Sequence, residues 1–258
     1  MPPLALVGNL ARDLVDGQPP RIGGAPYYAA QAWRALGSRA TIFTRCGPGD
    51  RVAYARRLSA FGLPVVVLQG TTTTAFSFYY DGETRVMTVE QPGDAWTPDD
   101  ANAVPPGAWV HVAPLLRSDF PSETLKALAR GRTLSLDGQG LVRVGERGPL
   151  RLDSDFDPAM LEHLRILKLA EEEAEVIGAV DRLGVPEVLV TYGPRGSEVY
   201  YEGRREKVGA WPVAADPTGS GDAFSAAYLA GRAQGLTPIS SARRATAVVG
   251  GLLAERAL

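Results

Sequence analysis

Short apolar segments that alternate with helical patterns are the feature of this sequence that most restricts its fold. The segments predicted to be buried strands are residues 4–7, 40–44, 65–68, 109–113, 133–136, 166–169 and 188–191. Helical patterns lie between many of them, at residues 25–36, 52–61, 122–129 and 171–177. Continuous apolar strands separated by helices are typical of a parallel sheet that is covered on both faces. The sequence therefore predicts an α/β fold with a doubly wound, mostly parallel sheet flanked by helices.

Two pairs of segments interrupt this alternation and are predicted to be antiparallel hairpins. Residues 75–80 and 84–89 flank Asp81-Gly82, a dipeptide typical of two-residue hairpin turns. Residues 197–201 and 204–208 flank Glu202-Gly203 in the same way. The first hairpin either covers a site or is an edge addition of structural use only, and its pattern alone favours neither interpretation.

Composition and charge restrict the partners of the chain. A chain of 258 residues fits a single α/β domain, and its formal net charge of −2 argues against nucleic acid or an anionic membrane as the main partner. The single cysteine, Cys46, cannot form an intramolecular disulfide, and no Cys/His spacing suits zinc. No apolar run is long enough to span a membrane, and Met1-Pro2-Pro3 does not begin a signal peptide. We expect a cytoplasmic protein that acts on a small molecule and binds neither nucleic acid nor membrane.

The run from Asp216 to Phe224, Asp-Pro-Thr-Gly-Ser-Gly-Asp-Ala-Phe, precedes an apolar stretch and predicts a glycine loop that leads into a helix. The glycines allow a ligand to approach the backbone, and the amides of the first helical turn form an anion site. An aspartate adds negative charge to such a turn. Asp222 is explained if the anion is a phosphoryl group in transfer and the carboxylate accepts a proton from the attacking hydroxyl. A capped helix behind a flexible loop is the alternative, and the residues alone do not separate the two.

This run resembles the C-terminal signature of the ribokinase-like, PfkB-type family of carbohydrate kinases, usually written D-T-T-G-A-G-D-A-F. Pro217 and Ser220 are the positions that differ. The resemblance covers essentially the whole chain, since other segments follow in the family's order: Leu6-Val7-Gly8 with Asp13, Gly23-Gly24, residues 168–177, and the T-x-G-x-x-G turn from Thr191 to Gly196. The Walker A and G-x-G-x-x-G patterns are absent, which argues against a P-loop kinase and weakens a dehydrogenase interpretation.

The resemblance implies a phosphotransferase that moves the γ-phosphoryl group of ATP, with Mg²⁺, to a hydroxyl of a sugar or cyclitol. It implies Asp222 as the catalytic base, with an anion hole formed by the amides of Gly219, Ser220 and Gly221. The implied nucleotide-binding residues are Thr191, Gly193, Gly196, Asp216 and Thr218. The implied acceptor-binding residues are Asp13, Gly24, Tyr28, Gln139 and Arg143. Glu173 would act on the Mg²⁺ shell through water, and some relatives hold a monovalent cation near the position of Asp216.

Two positions depart from the family pattern. The N-x-x-E motif reads Ala170-Glu171-Glu172-Glu173, so the amide side chain is missing. This departure motivates an alternative, a catalytically impaired protein of the same fold that binds a nucleotide or a sugar. The acidic run is also explained as the first turn of a helix, where the dipole favours glutamate. Tyr28 stands near a position where relatives often carry Asn, so either Tyr27 or Tyr28 belongs to the site or both pack their helix against the sheet.

The segment from Asp137 to Arg143 bears on which acceptor the chain binds. It is similar to a D-x-Q-G-x-x-R pattern in a branch of the family that includes myo-inositol kinase-like proteins. Gln139 could bind a hydroxyl and Arg143 a phosphate, but a polar loop with a solvent-facing arginine explains the segment equally well. A nucleoside or another small alcohol is the remaining acceptor class.

The lid and the assembly state are the last expectations. Only about ten residues separate Asp13 from Gly23, so we expect a single ribokinase-like domain over residues 1–258 with a reduced β lid around residues 13–22 and 72–90. In relatives whose lid also forms a dimer interface, a reduced lid would remove that interface, so we expect a monomer or a homodimer. Trp211, like the other three tryptophans, is predicted to pack in the interior.

Overall fold

The computed structural model describes residues 2–15, 18–81 and 84–257. In chain order the strands are β1 Leu4–Asn9, β2 Ala11–Val15, β3 Arg21–Gly23, β4 Ala40–Cys46, β5 Val65–Gln69, β6 Thr74–Asp81, β7 Thr84–Gln91, β8 Trp109–Val112, β9 Thr133–Asp137, β10 Gly148–Pro149, β11 Leu164–Ala170, β12 Glu187–Thr191, β13 Ser197–Tyr201 and β14 Arg204–Val208. The α-helices are α1 Ala25–Ala35, α2 Pro48–Ser59, α3 Ser122–Ala129, α4 Gln139–Val142, α5 Glu171–Ile177, α6 Ser220–Ala233 and α7 Pro238–Arg256.

The large sheet has the strand order β14-β13-β12-β11-β9-β8-β1-β4-β5. Strand β1 pairs in parallel with both β4 and β8, and the order runs in opposite directions from this point. The β13–β14 hairpin adds two antiparallel strands at one edge. The predicted fold class, a doubly wound and mostly parallel sheet, is confirmed. Such sheets bind ligands at the carboxyl ends of the strands near the switch in strand order.

Helices cover both faces of the large sheet, which is why its central parallel strands, such as β1, β8 and β11, are buried and largely apolar. On one face α1 and α6 pack together through residues such as Trp33 and Tyr228. The indole N–H of Trp33 donates a hydrogen bond of 2.8 Å to the carbonyl of Ala226, which fixes the two helices to each other. On the other face Phe120 and Leu125 belong to a second apolar cluster.

A smaller sheet forms the lid and has the strand order β10-β7-β6-β2-β3. Its strands fall mainly in the two stretches expected from the sequence. Strand β2 pairs in parallel with β6 and antiparallel with β3, so the short gap between Asp13 and Gly23 still contributes two strands. The predicted turn at Asp81-Gly82 includes Gly82, which lies outside the described residues.

Two further observations concern membrane spans and the packing of the tryptophans. Across residues 2–15, 18–81 and 84–257, no helix combines the length and the apolar character that a bilayer span requires. Trp33 and Trp96 are buried as predicted, but the prediction for Trp211 is wrong because 87% of its surface is exposed. Its loop follows the end of β14 and runs along the rim of a cavity, so the indole is not covered by a helix or a sheet.

Candidate active site

Two cavities meet at the carboxyl ends of β9, β11 and β12. The larger has a volume of about 980 Å³ and the smaller about 180 Å³. Four residues line both of them, and they mark the junction: Lys168, Ala170, Glu172 and Gly221. A ligand in one cavity can therefore contact a ligand in the other beside the start of α6.

The larger cavity contains three of the five residues predicted to bind a nucleotide, Thr191, Gly193 and Gly196. Its remaining walls are largely apolar and include Val249, Leu253, Phe224 and the exposed Trp211. The ring of Tyr192 lies beneath the guanidinium of Arg195 at 5.4 Å, and Arg195 also pairs with Glu171. This cavity therefore offers an apolar region that adjoins a glycine turn.

The other two predicted nucleotide residues lie elsewhere. Thr218 lines the smaller cavity, and Asp216 lines neither. The carboxylate of Asp216 accepts hydrogen bonds from the Thr218 amide at 3.0 Å and the Thr218 hydroxyl at 2.6 Å. Asp216 thus shapes the turn that precedes α6.

The smaller cavity is lined by all five residues predicted to bind the acceptor: Asp13, Gly24, Tyr28, Gln139 and Arg143. The amide of Gln139 donates to the carbonyl of Pro114 at 2.5 Å, which fixes its side chain. Tyr28, and not Tyr27, lines the cavity, because Tyr27 packs edge-on against Phe61. The lid residues Phe76 and Met87 also line it, and the sequence analysis did not single them out.

The glycine loop is held from two sides. Gly219 has a φ of +78°, and a Cβ at this position would overlap the ring of Tyr28, so glycine is required here on both grounds. Arg256 of α7 donates to the carbonyl of Thr218 at 2.8 Å and lies over the ring of Tyr28 at 5.8 Å. Helices α1 and α7 thus support the loop from which α6 begins.

The predicted anion hole is only partly available. The amide of Ser220 donates to the carbonyl of Pro217 at 2.9 Å and is committed to the turn. Of the three predicted amides, those of Gly219 and Gly221 therefore remain available, within the described part of the chain, to donate to an anion. Both lie at the N-terminal end of α6, where the helix dipole favours negative charge.

Asp222, in the first turn of α6, lines the smaller cavity. Burial, and next the negative charge of Asp137, raise the pKa of Asp222 to about 7. The positive charges of Lys168 and Arg143 oppose this rise, and Glu173 adds to it. A carboxylate with a pKa near neutrality can take up a proton in the course of a reaction.

Lys168, in β11, is a charged residue of the site that the sequence analysis did not select. Its Nζ lies 3.3 Å from Oδ2 of Asp137, its partner in the register of β11 with β9. Burial lowers the pKa of Lys168, but the attraction of Asp137, Glu173 and Asp222 outweighs that effect and leaves the pKa above its ordinary value. The ammonium is therefore charged at neutral pH. The only signal in the sequence is a lysine inside an apolar strand.

Glu173 closes the site on the side of α5. One carboxylate oxygen accepts a hydrogen bond of 2.8 Å from the amide of Ala170, so Glu173 secures the start of the helix. Burial raises the pKa of Glu173, against the attraction of Lys168. Glu172, which the sequence analysis did not select, lines both cavities.

The doubly wound sheet with a small strand lid is the fold of solved ribokinase-family structures. Residues 155–254 match the family model described as pfkB family carbohydrate kinase, which confirms the predicted resemblance over this part of the chain. Similarity to inositol kinases supports the inositol-kinase-like branch of this family.

Individual relatives extend this result. The chain is 33% identical to an inositol 3-kinase of Zea mays over 126 residues, which are 46% of this chain and 33% of that protein. It is 28% identical to a nucleoside kinase of Methanothermobacter thermautotrophicus over 248 residues, covering 88% of this chain and 76% of the relative. The chain spans about one third of the length of the inositol kinases it matches.

Among solved structures, the chain is similar to a pyrophosphate-dependent kinase in the ribokinase family complexed with a pyrophosphate analog and myo-inositol. The TM-score is 0.85 at 25% sequence identity, over 97% of this chain and 94% of that chain.

Proposed function

We propose that the protein is an ATP- and Mg²⁺-dependent kinase that transfers the γ-phosphoryl group to a hydroxyl of a cyclitol or sugar, with myo-inositol as the first acceptor to test. The observation that carries the proposal is the position of Asp222. This half-buried carboxylate, whose pKa is raised to about 7, lines the smaller cavity next to the junction with the larger one. A hydroxyl bound in the smaller cavity would lie between this base and a phosphate in the larger cavity.

The proposed transfer is an in-line displacement. The acceptor oxygen forms a bond to the γ-phosphorus, and the bond from that phosphorus to the β–γ bridging oxygen breaks. ADP leaves with the electron pair of that bond, and the carboxylate of Asp222 takes the proton of the hydroxyl. The amides of Gly219 and Gly221 would stabilise the negative charge on the phosphoryl oxygens.

The acidic residues at the junction could hold Mg²⁺ only together with the phosphates of the donor. Among the described residues, no three His, Cys, Asp or Glu side chains gather into a group that could hold a metal ion. Mg²⁺ needs only one or two carboxylates where substrate phosphates complete its shell. Glu172 and Glu173, which line the junction side of the smaller cavity, would hold it through water. When bound, Mg²⁺ supplies positive charge to the phosphates.

A monovalent cation near Asp216 stays a prediction. One carboxylate oxygen of that residue already accepts two hydrogen bonds from Thr218.

The size and lining of the smaller cavity favour a single polyol ring as the acceptor. Its volume of about 180 Å³ is below the range of roughly 300–1,000 Å³ typical of drug-sized ligands. Asp13, Gln139 and Arg143 offer polar groups to hydroxyls, and Phe76 and Met87 offer an apolar surface to the C–H face of a ring. A nucleoside would need room for a base as well as a sugar. The similarity to inositol kinases supports the cyclitol among polyols.

The larger cavity favours ATP over pyrophosphate as the donor. Its volume of about 980 Å³ is at the upper end of the usual range, and it extends along apolar side chains well beyond the junction. Pyrophosphate would fill only the polar end near Gly221. Val249, Leu253 and Trp211 would contact the nucleoside of ATP.

Turnover of purified protein tests the proposal. The protein should be incubated with Mg²⁺ and either ATP or pyrophosphate against myo-inositol, other cyclitols, pentoses, hexoses and nucleosides, with donor consumption and phosphorylated product both measured. We expect the highest kcat/KM for ATP with myo-inositol. No product from any acceptor while ATP still binds would overturn the proposal and favour a binding protein.

The binding-protein alternative rests on Ala170, which stands where the family motif has Asn. Restoring Asn in the variant Ala170→Asn tests it directly. If turnover and Mg²⁺ affinity appear only in this variant, the native chain has lost catalysis. Efficient turnover by the native chain eliminates the alternative.

A further inference from the structure

The ammonium of Lys168 is the one lysine charge that both cavities share. The chain has three lysines, and the other two, Lys126 and Lys207, are exposed. Lys168 is only 5% exposed. A buried cation is costly unless charged partners compensate for the lost hydration. The buried position of Lys168 therefore requires groups that compensate for the lost hydration of its ammonium.

The carboxylates around Lys168 supply part of that reason. Asp137 pairs with Nζ at 3.3 Å, and Glu173 and Asp222 contribute further negative charge. An ammonium carries three N–H donors, and the pair with Asp137 uses one of them. Donors therefore remain for a ligand at the junction.

The close approach of Lys168 to α6 shows where those donors can act. A Cβ added to Gly221 would lie 2.9 Å from Nζ, so the ammonium stands against the first turn of the helix. A cation at a helix N-terminus opposes the dipole, which is favourable only when an anion lies between the two. Asp222 is one such anion, but it is the group that must become protonated during the proposed transfer.

We propose that Lys168 is a catalytic residue that donates hydrogen bonds to the non-bridging oxygens of the phosphoryl group in transit. This inference rests on the proposed kinase function. Lys168 gains and loses no proton in the step: the acceptor oxygen bonds to phosphorus, the bridging oxygen departs with ADP, and the proton goes to Asp222. The ammonium offsets the charge of the migrating group. It does so beside Ala170, which stands where the family motif has Asn and therefore lacks the amide side chain.

Kinetics of Lys168→Met test the proposal, with Lys126→Met as the matched control at an exposed lysine. We expect kcat to fall by about 10²–10³-fold, the usual cost of removing one donor to a developing charge. The KM of the acceptor should change little, because Lys168 acts on the migrating group. A kcat within threefold of the wild-type value would overturn the proposal.

Loss of Lys168 leaves the buried Asp137 without its cationic partner, which could destabilise the fold. A second variant therefore separates an effect on catalysis from an effect on stability. In Lys168→Met/Asp137→Asn both charges are removed, and we expect a melting temperature near that of the wild type with kcat still low. If the double variant recovers wild-type kcat, Lys168 serves only to neutralise Asp137 and the proposal fails.

A readout without turnover separates this inference from the kinase proposal. Three ¹⁵Nζ lysine resonances are expected, and the one missing in Lys168→Met identifies Lys168. The β,γ-imido analogue of ATP with Mg²⁺ should shift that resonance and leave those of Lys126 and Lys207 in place. If the wild type has no turnover but the resonance shifts, the kinase proposal fails and the anion contact of Lys168 stands. An unshifted resonance at saturation, or no binding of the analogue, overturns the contact.

Discussion

Asp222 occupies a position where its charged form is disfavoured. Burial is the main cause, and the negative charge of Asp137 adds to it. Lys168 and Arg143 limit the rise, so the pKa of about 7 is a balance of opposing charges within one cavity wall. A base with this pKa combines a useful ionised fraction at neutral pH with a real affinity for the proton.

The first prediction concerns the dependence of rate on pH. The value of kcat/KM should fall as pH decreases below about 7, because Asp222 becomes protonated and can no longer accept the hydroxyl proton. Above that pH it should reach a plateau. A pH–rate profile between 5.5 and 9 measures this, and Asp99→Asn, at an exposed carboxylate, should keep the profile. A flat profile across pH 6–8 would show that another group is the base.

The second prediction concerns the stability cost of the same carboxylate. Its pKa is raised from an ordinary 3.8 to about 7 on folding, so between these values the folded state holds a proton that the unfolded state has released. The free energy of unfolding therefore decreases as pH rises through this window, and the full cost is present above pH 7. Asp222→Asn should be more stable than the wild type at pH 8, by at most about 4 kcal/mol, and should gain less at pH 5.

Urea unfolding of both proteins at the two pH values measures this difference. Turnover should be nearly abolished in Asp222→Asn while ATP still binds. Equal stability of variant and wild type at pH 8 would contradict the buried, destabilising charge.

The sequence singled out Asp222 and the glycines, which line the candidate site, because they form a contiguous motif. It did not reach Lys168 or Glu172. Lys168 acquires its environment from the register of β11 with β9, which places Asp137 beside it, and from the start of α6, which lies 52 residues further along the chain. Neither relation is visible in the local sequence.

At the scale of elements, the loop before α6 depends on helices distant in sequence. The ring of Tyr28 in α1 lies against Gly219, and Arg256 near the end of α7 binds the carbonyls of Thr218 and Asp216. The loop is therefore positioned by packing as well as by its own glycines.

The third prediction tests this support with Gly219→Ala. A methyl group would overlap the ring of Tyr28 and would also strain a backbone with a φ of +78°. Gly235→Ala is the matched control, since Gly235 has a φ of +84° and no atom within 4 Å of an added Cβ. The control should lose about 1–2 kcal/mol from the strained backbone alone, while Gly219→Ala should lose more and have a strongly reduced kcat. Equal losses of stability in urea unfolding would exclude the ring contact.

Element prediction succeeded for the apolar parallel strands and failed for α7. The predicted β1, β4, β8, β9, β11 and β12 were found because strands buried on both faces are continuously apolar. The edge strand β5 was also found, since it is an apolar run although it is partly exposed. Helix α7 contains Val248, Val249, Gly250 and Gly251, which are weak helix formers. Its contacts with α6 stabilise it, including the close approach of Ser241 to Gly231. The sequence placed a lid element around residues 13–22 but did not resolve it into β2 and β3, because both strands are short and β2 pairs with the distant β6.

For the whole molecule, the lid is attached at one end to helix α2. Arg12 of β2 pairs with Asp50 of α2 at 2.6 Å, and Asp50 also accepts a hydrogen bond of 2.6 Å from Thr73, just before β6. These bonds fix the base of the lid, and its other strands carry Phe76 and Met87 to the smaller cavity. With the proposed assignment of the cavities, recognition of the acceptor would depend on both sheets, and recognition of the donor would depend on the large sheet alone.

The fourth prediction follows because the lid residues Phe76 and Met87 line the smaller cavity and not the larger one. Met87→Ala should raise the KM of the acceptor severalfold and leave the KM of ATP unchanged, because Met87 lines only the smaller cavity. Val86→Ala, the neighbouring position on the opposite face of β7, should leave both values near those of the wild type. Steady-state kinetics with each substrate varied in turn measure this. A parallel rise in the KM of ATP would show that the lid also serves the donor.

The exposed Trp211 at the rim of the larger cavity gives the molecule an optical property. Trp33 and Trp96 are shielded from solvent, so a soluble quencher such as iodide reaches Trp211 far more readily than either of them. A nucleoside stacked beside Trp211 would screen the indole and shift its emission to shorter wavelength. Occupancy of the donor cavity can therefore be followed by intrinsic fluorescence, without a label and independently of any acceptor.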